Sequence, residues 1–472
     1  MDSAPTSTDH LRPLFDRLQA AQRRHVPVYR ERRQQLEKLA AAIRRHREAL
    51  VQAVSADFGR RARIETVAAD LMTVLGEIRH TLKHLRGWMR PQRRLVNLPF
   101  RPARGEVRFQ PLGVVGIVAP WNYPIQLALL PLVNALAAGN RVMIKPSEFT
   151  PRTTDMLSRL LGETFPPDQV LVVPGDAAIG AAFTALPFDH LLFTGSTAVG
   201  RVVMTAAAAN LTPVTLELGG KSPALVAPDY PIEHAAERIA FGKCFNAGQT
   251  CVAPDYVLVP RTQRDAFVRA YLASVKRRYP TLSQNPDYTA IVNLRQATRL
   301  REWLDDARNR GVAVLQHRPD HDSPPPGVEL IPPTVLLDPP EDSLVMRGEI
   351  FGPLLPVKSY DTLDEAIGYI LDHDRPLAFY PFDRNRSRLQ RTLYRVTAGS
   401  VCVNDTVIQF GQDEFPIGGV GASGMGHYHG HAGFQTFSKA MPVFYQSRWN
   451  GMKLFDAPYS KFAQRVVEWL AR

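Results

Sequence analysis

A chain of 472 residues, 45% hydrophobic and 22% charged, has the composition of a folded globular protein and room for about three average domains. Three cysteines at this length argue against a disulfide framework and for free thiols in a reducing compartment. No apolar run of about 18 residues is present to span a membrane, and Met1-Asp2-Ser3-Ala4-Pro5-Thr6 lacks the charged-then-apolar order of a signal peptide, so a cytoplasmic location is expected. The net charge of +12 is spread out: Arg23-Arg24, Arg30-Glu31-Arg32-Arg33 and Arg44-Arg45 are interspersed with Glu37 and Glu48. That is the pattern of a solvated helix face, and no nucleic-acid partner is expected.

In chain order, residues 9–89 read as helices. Leu36, Leu39, Ala40, Ile43 and Leu50, then Leu71, Leu75, Ile78, Leu82 and Leu85, recur at helical spacing. Between 91 and 111 prolines break short extended pieces, and Glu106-Val107-Arg108-Phe109-Gln110 alternates as a strand does. Gly113-Val114-Val115-Gly116-Ile117-Val118-Ala119 suits a strand buried on both faces and ends in Pro120-Trp121-Asn122. A helix over 125–138 stops at Gly139-Asn140. Strands at 141–146, 170–173 and 190–193 then alternate with helices at 151–161, 180–185 and up to 209. Such alternation predicts an α/β fold with a Rossmann-like parallel sheet covered by helices.

From Pro223 the alternation starts again, with a strand at 224–226, helices at 232–245, 264–278 and 295–309, and a proline-rich surface loop at 319–327. This predicts a second α/β domain. After Phe415 the chain is glycine-rich, then extended at Pro442-Val443-Phe444-Tyr445, and it ends in a helix over 460–471.

Phe245-Asn246-Ala247-Gly248-Gln249-Thr250-Cys251-Val252-Ala253-Pro254 sets a cysteine in a polar turn that contains glycine. A thiol there can ionise and attack, whereas one in apolar company is packing; both readings stand for Cys251. Glu217, between two leucines and before Gly219-Gly220, suits a general base whose charged form is disfavoured, or a surface strand position. Glu349, in Arg347-Gly348-Glu349-Ile350-Phe351-Gly352-Pro353, is similar. The Asn122 amide is either an oxyanion donor or a turn residue. Gly195-Ser196-Thr197-Ala198-Val199-Gly200 joins a strand to a helix, as a phosphate site or as a tight turn. Lys145-Pro146-Ser147-Glu148 follows a buried strand; it can bracket ribose hydroxyls, start a helix, or do both. His427, His429 and His431 have metal-like spacing but no Cys, Asp or Glu beside them, and no metal is expected.

In this order these pieces resemble the aldehyde dehydrogenase superfamily, over nearly the whole chain. The carriers are Pro120-Trp121-Asn122-Tyr123-Pro124, Ala138-Gly139-Asn140 with Lys145-Pro146-Ser147-Glu148, Phe193-Thr194-Gly195-Ser196, Glu217-Leu218-Gly219-Gly220-Lys221, Gly248-Gln249-Thr250-Cys251 and Glu349-Ile350-Phe351-Gly352-Pro353. The tail and the short N-terminus look like the dimeric class acting on fatty and aromatic aldehydes. Pro254-Asp255-Tyr256, Leu377-Ala378-Phe379-Tyr380-Pro381 and the stretch from Gly419 to Gly430 look most like coniferyl aldehyde dehydrogenases.

The resemblance implies oxidation of an aldehyde to the acid through a cysteine thiohemiacetal and thioester. Cys251 would be the nucleophile, Asn122 with the Cys251 N–H the oxyanion site, and Glu217 the base that activates water. It also implies a cofactor set: Glu349 for the nicotinamide ribose, Lys145 and Glu148 for the adenosine ribose, Ser196 with Trp121 near the pyrophosphate, and Gly195, Gly200 and Phe351 around them. NAD is favoured over NADP, because the Glu148 carboxylate repels a 2′-phosphate. The implied domains are a cofactor domain (1–91, 110–217, 417–439), a catalytic domain (218–416), a β arm that pairs two copies into a homodimer (92–109, 440–450) and a C-terminal tail (451–472). An acyl-CoA or acyl-phosphate reductase and a non-catalytic binding protein on the same scaffold are the alternatives; Glu217 speaks against the first, which needs no hydrolytic water, and the presence of Cys251, Glu217 and Asn122 speaks against the second. Phe245, Tyr380 and Phe410 are expected to line an apolar tunnel, and Cys244 and Cys402 to be structural.

Overall fold

A computed structural model describes residues 7–319 and 324–471. Residues 1–6, read above for a signal sequence, residues 320–323 of the proline-rich loop and the final residue 472 lie outside the described residues. Three sheets organise the chain.

The first has six strands in the order Gly424–Met425, Val214–Leu218, His190–Gly195, Val114–Val118, Arg141–Lys145, Val170–Val172. All neighbours run parallel except the short edge strand Gly424–Met425, which returns antiparallel against Leu216 and Glu217. Its strands are apolar runs because helices cover both faces. One of these helices, Gln126–Ala138, is buried at every position and ends where Gly139 turns left-handed at φ 92°. The N-terminal helices Leu11–Arg24, Tyr29–Arg45, Arg47–Asp57 and Thr73–Trp88 bury the apolar stripe expected of them, with Leu36, Leu39, Ile43, Leu50 and Ile78 fully enclosed. Between the last two, Thr66–Met72 is wound as a π-helix, which turns Asp70 and Leu71 inward.

The second sheet has seven strands, Ala313–Gln316, Thr334–Leu337, Leu354–Tyr360, Tyr256–Pro260, Pro223–Val226, Ala378–Phe382 and Ser400–Val401 in spatial order. Only the first pair is antiparallel. Its core takes in Cys244 and Cys402, both buried. The third sheet pairs Arg104–Pro111 with Gln92–Arg94 and, over eight residues, with Ser438–Tyr445, all antiparallel. A final helix, Lys461–Leu470, is capped by Ser460, whose side chain accepts from Ala463 N–H at 3.0 Å. Among the described residues no helix is long and apolar enough to cross a membrane.

Candidate active site

The cysteine turn is strained and over-determined. After helix Ile232–Cys244, three consecutive residues are left-handed: Asn246 (φ 53°), Ala247 (φ 51°) and Gly248 (φ 75°). For the two that carry a side chain this costs on the order of 1–3 kcal/mol each, and it persists only where neighbours enforce it. Here they do. Asn246 N–H donates to Glu65 Oε1 at 3.0 Å, and its side-chain amide donates to the carbonyls of Asn122 (3.2 Å) and Gln249 (3.0 Å). The Gln249 amide donates to Asn246 and Ala290 carbonyls and accepts from Val292 N–H, each at 3.0 Å. Glu65 is itself held by Thr289 Oγ1 at 2.6 Å. Cys251 leaves this turn half-buried.

A cavity of about 210 Å³ opens in front of Cys251, against the carboxyl ends of the first sheet's strands. From that sheet come Trp121 and Asn122 after Val114–Val118, Gly195 and Ser196 at the end of His190–Gly195, and Glu217 near the end of Val214–Leu218. From the second domain come Cys251, Glu349 and Phe351. The structure therefore brings together residues up to 230 positions apart that the sequence singled out separately. Lys145, Glu148 and Gly200 do not line this cavity. Lys145 ends the strand Arg141–Lys145, buried, with its ammonium 3.0 Å from Glu148. Gly200 packs one turn into helix Thr197–Ala208, where a side chain would meet Leu218 at 2.6 Å. The helix after Glu148 begins only at Pro151, and Asp57 caps it through the N–H groups of Arg152 (3.0 Å) and Thr153 (2.8 Å). Ser147 and Glu148 are thus not its cap.

Burial dominates the electrostatics. Glu217 is fully enclosed and its Oε1 has no hydrogen-bond partner, so desolvation pushes its carboxyl well above the usual range. Glu349 rests on the bare α-carbon of Gly219 and accepts from Gly220 N–H; burial first, then Asp255, pushes it up to about 8. The Cys251 thiol is pushed up to about 12 by burial, then by Glu349 and Glu217.

Several positioning residues had no role assigned from the sequence, although Lys221 and Asp255 stood inside quoted motifs. Arg61 and Asp70, both fully buried, form an ion pair at 3.2 Å; Arg61 Nη1 donates to the Asn122 carbonyl at 2.7 Å, and Asp70 accepts from Ile125 and Gln126 N–H. Lys221 pairs with Asp255 and donates to the carbonyls of Val345 (2.8 Å) and Gly348 (3.1 Å). Asp255 accepts from Ile350 N–H at 2.9 Å, and Arg299 donates to the Ile350 carbonyl at 2.7 Å. Together these three fix the loop that carries Glu349. Phe351 beyond it is left-handed (φ 47°), with its ring edge-to-face with Trp121 at 5.3 Å.

Behind Cys251 lies a second cavity of about 380 Å³, also lined by Cys251 and Thr250. Its walls are aromatic and aliphatic, chiefly Phe241, Phe245, Phe410, Ile408 and Leu127, and among the described residues no charged side chain lines it. Phe245 and Phe410 are where the sequence reading puts them. Tyr380 is not: it is buried in the core, and its hydroxyl donates to the Val252 carbonyl. His427 is exposed, His429 fully buried and His431 half-buried, and among the described residues they do not converge on one point.

Comparison with known proteins gives these features a class. The aldehyde dehydrogenase family model matches residues 15–443, and the chain belongs to that family. It is 50% identical over 460 residues to a probable coniferyl aldehyde dehydrogenase of Pseudomonas aeruginosa, covering 97% of this chain and 96% of that one. The fold superposes on the substrate-bound state of Staphylococcus aureus AldH with a TM-score of 0.90, at 35% identity, over 98% and 99% of the two chains. It superposes on betaine aldehyde dehydrogenase from Staphylococcus aureus in complex with NAD⁺ with a TM-score of 0.84, at 25% identity, over 94% and 88%. The protein is an NAD(P)-dependent aldehyde dehydrogenase. The front cavity fits that cofactor: it sits at strand carboxyl ends, where open parallel sheets bind nucleotides, with a helix N-terminus at Ser196 and a buried carboxylate at Glu349.

Proposed function

We propose that this enzyme oxidises aromatic aldehydes, coniferyl aldehyde among them, to the carboxylic acids, with Cys251 as nucleophile. The observation that carries this reading is that one sulfur borders both cavities, a polar one holding Glu217 and Asn122 and an uncharged aromatic one. The relative from Pseudomonas aeruginosa, named for coniferyl aldehyde, supports the same substrate.

In this mechanism the aldehyde enters past Phe245 and Phe410 and presents its carbonyl to Cys251. Burial keeps the thiol protonated in the free enzyme, so as sulfur bonds to the carbonyl carbon the C=O π pair moves onto oxygen and the thiol proton passes to solvent water. The thiohemiacetal oxyanion is held by the Asn122 side-chain amide and the Cys251 N–H. Bound in the front cavity, NAD(P)⁺ would supply the hydride acceptor needed to take the Cys251 adduct to the thioester. Glu217 then takes a proton from water as the water's oxygen attacks the thioester, which releases the acid and the free sulfur. Desolvation makes Glu217 the stronger base once it is ionised, so this step gains as pH rises.

Glu349 would hold the nicotinamide ribose, Trp121 and Ser196 the pyrophosphate region, with Gly195, Gly200 and Phe351 shaping the approach. Lys145 and Glu148 would hold the adenosine ribose; the carboxylate beside the lysine favours NAD⁺ over NADP⁺. Phe444 on the strand Ser438–Tyr445 and Leu95 and Leu98 in the connection after Gln92–Arg94 are exposed, which suits a homodimer joined through that arm, and we place the enzyme in the cytoplasm. The domain limits follow the same division: 1–91, 110–217 and 417–439 for the cofactor, 218–416 for catalysis, 92–109 and 440–450 for the arm, and 451–472 for the tail.

The test is formation of reduced nicotinamide from coniferyl aldehyde, benzaldehyde, a medium-chain alkanal and succinate semialdehyde, with Cys251→Ala alongside. Aromatic turnover with NAD⁺ that is absent in the variant is the expected result. Turnover of alkanals alone would remove the aromatic assignment, and an active Cys251→Ala would remove the mechanism. Sedimentation of the purified protein tests the dimer.

A further inference from the structure

Away from the catalytic cavity, His80, His84 and Glu414 converge: one ligand atom from each lies within 4.8 Å of the other two. His80 and His84 are four residues apart on helix Thr73–Trp88, so they project from one face, and their ring centroids are 4.3 Å apart. Glu414 reaches them from the loop after the short helical turn Ile408–Gly411.

His84 is oriented as a ligand is. His84 Nδ1 lies 2.9 Å from the His80 carbonyl, and a carbonyl only accepts, so the proton sits on Nδ1 and the Nε2 lone pair is free. A backbone carbonyl behind a ring nitrogen is the usual support for a metal-bound histidine. Trp88 stacks on the His84 ring at 6.0 Å and 16°, which fixes its plane.

We propose that His80, His84 and Glu414 bind a divalent transition-metal ion, zinc foremost, with water completing a tetrahedral shell. Two imidazoles and one carboxylate are a donor set zinc accepts at about 2.0–2.2 Å. Donors on so small a sphere stand closer together than 4.8 Å, and Glu414, the exposed member, is free to swing inward. His427, His429 and His431, whose spacing alone drew attention, take no part.

The site has a structural consequence. Glu414 lies two residues beyond Gln412, and Val407, Ile408, Phe410, Gly411 and Gln412 form a wall of the aromatic cavity. The lining also includes Met72 and Thr73, at the start of the helix that carries both histidines. A bound ion therefore ties together two chain segments that line that cavity.

The test uses full-length protein, freed of metal by chelation, in a Cys251→Ser background so that the reactive thiol cannot contribute. Titration with Co²⁺ should show one saturable equivalent with a visible ligand-field spectrum, no thiolate charge-transfer band, and displacement by Zn²⁺. His84→Asn and the surface change Glu414→Gln should each weaken binding by at least about tenfold. Amide hydrogen exchange across 408–415 should slow on adding Zn²⁺, and not in Glu414→Gln. Absence of saturable Co²⁺ binding at micromolar concentration, or binding and exchange that Glu414→Gln leaves unchanged, overturns the site.

Discussion

Arg61 donates from Nη1 to the main-chain carbonyl of Asn122 at 2.7 Å, while its guanidinium pairs with Asp70 at 3.2 Å. A cation 61 positions upstream thus fixes the residue assigned to the oxyanion, and Asn246 donates to the same carbonyl from the cysteine turn. One oxygen ties the oxyanion residue to the nucleophile's turn. Removing a partner from a buried ion pair strands the other charge and costs about 3–5 kcal/mol. Arg61→Met is expected to lower unfolding free energy by that order in urea titrations. In the protein that remains folded, kcat should fall more than KM rises. A variant with unchanged stability and kcat would show that the Asn122 carbonyl needs no such anchor.

Glu217 separates the two half-reactions. In Glu217→Gln the thiohemiacetal and hydride-transfer steps survive, but the thioester lacks its base. Rapid mixing should show a burst of reduced nicotinamide near one equivalent per site, followed by steady turnover slowed about 10²–10⁴-fold. Loss of the burst with normal steady turnover would assign the base elsewhere.

The same substitution should stabilise the protein. The folded carboxyl holds its proton to a pH well above the unfolded value, so folding loses stability as pH climbs from about 4.5 toward the folded pKa. Glutamine removes that slope. Thermal melts should therefore coincide near pH 4.5 and diverge with rising pH, the glutamine variant melting higher. Melts that diverge in the opposite sense would mean that Glu217 is ionised and stabilised in the fold.

Much of this site was legible as motifs because backbone-demanding chemistry leaves glycine, proline and cysteine at fixed offsets. Gly219 is glycine because the Glu349 carboxyl occupies the space a side chain would need, and Gly139 is glycine because the chain turns left-handed there. Four strands of the first sheet were legible from their apolar runs, while Val214–Leu218 and the short edge strand Gly424–Met425 were not. Most of the second was not: Tyr256–Pro260, Thr334–Leu337 and Ala378–Phe382 are short apolar runs of four or five residues, a length at which periodicity does not separate strand from helix. The Arg61–Asp70 pair was hidden for another reason. Arg61 sits in Arg60-Arg61-Ala62-Arg63 and reads as one more surface arginine. Asp70 did leave a signal, a carboxylate on the same helical stripe as Val74 and Ile78, which only a buried partner makes tolerable. Tyr380 was placed in the tunnel because an aromatic near the cysteine domain suits one, but its hydroxyl is claimed by Val252 in the core.

Glu349 should govern how the thiol ionises. Its carboxyl titrates near 8, and once charged it disfavours the Cys251 thiolate, as Glu217 also does. Below pH 8 Glu349 is largely neutral and its removal changes little. Above pH 8 its charge raises the thiol pKa, and Glu349→Gln relieves this. Iodoacetamide alkylation of the cofactor-free enzyme should therefore run at similar rates in the two proteins at pH 6.5. By pH 9–10 it should be faster in Glu349→Gln. Equal rates across the whole range would mean that the carboxyl never charges in this cavity.

Phe245 and Phe410 offer the sharpest test of substrate class, because they line the rear cavity without belonging to the cofactor side. An aromatic aldehyde seated there loses apolar contact when either ring is cut to alanine, whereas a two- or three-carbon aldehyde reaches Cys251 without touching them. Hydrophobic contact of this size discriminates substrates by about 1–3 kcal/mol. Phe245→Ala and Phe410→Ala should therefore lower kcat/KM for coniferyl aldehyde by roughly tenfold to a hundredfold. Propanal turnover should stay within about threefold, since its pathway through Cys251 and Glu217 is untouched. A uniform loss for both substrates would place the rings in support of the cysteine turn, and no loss for coniferyl aldehyde would send the aromatic substrate elsewhere.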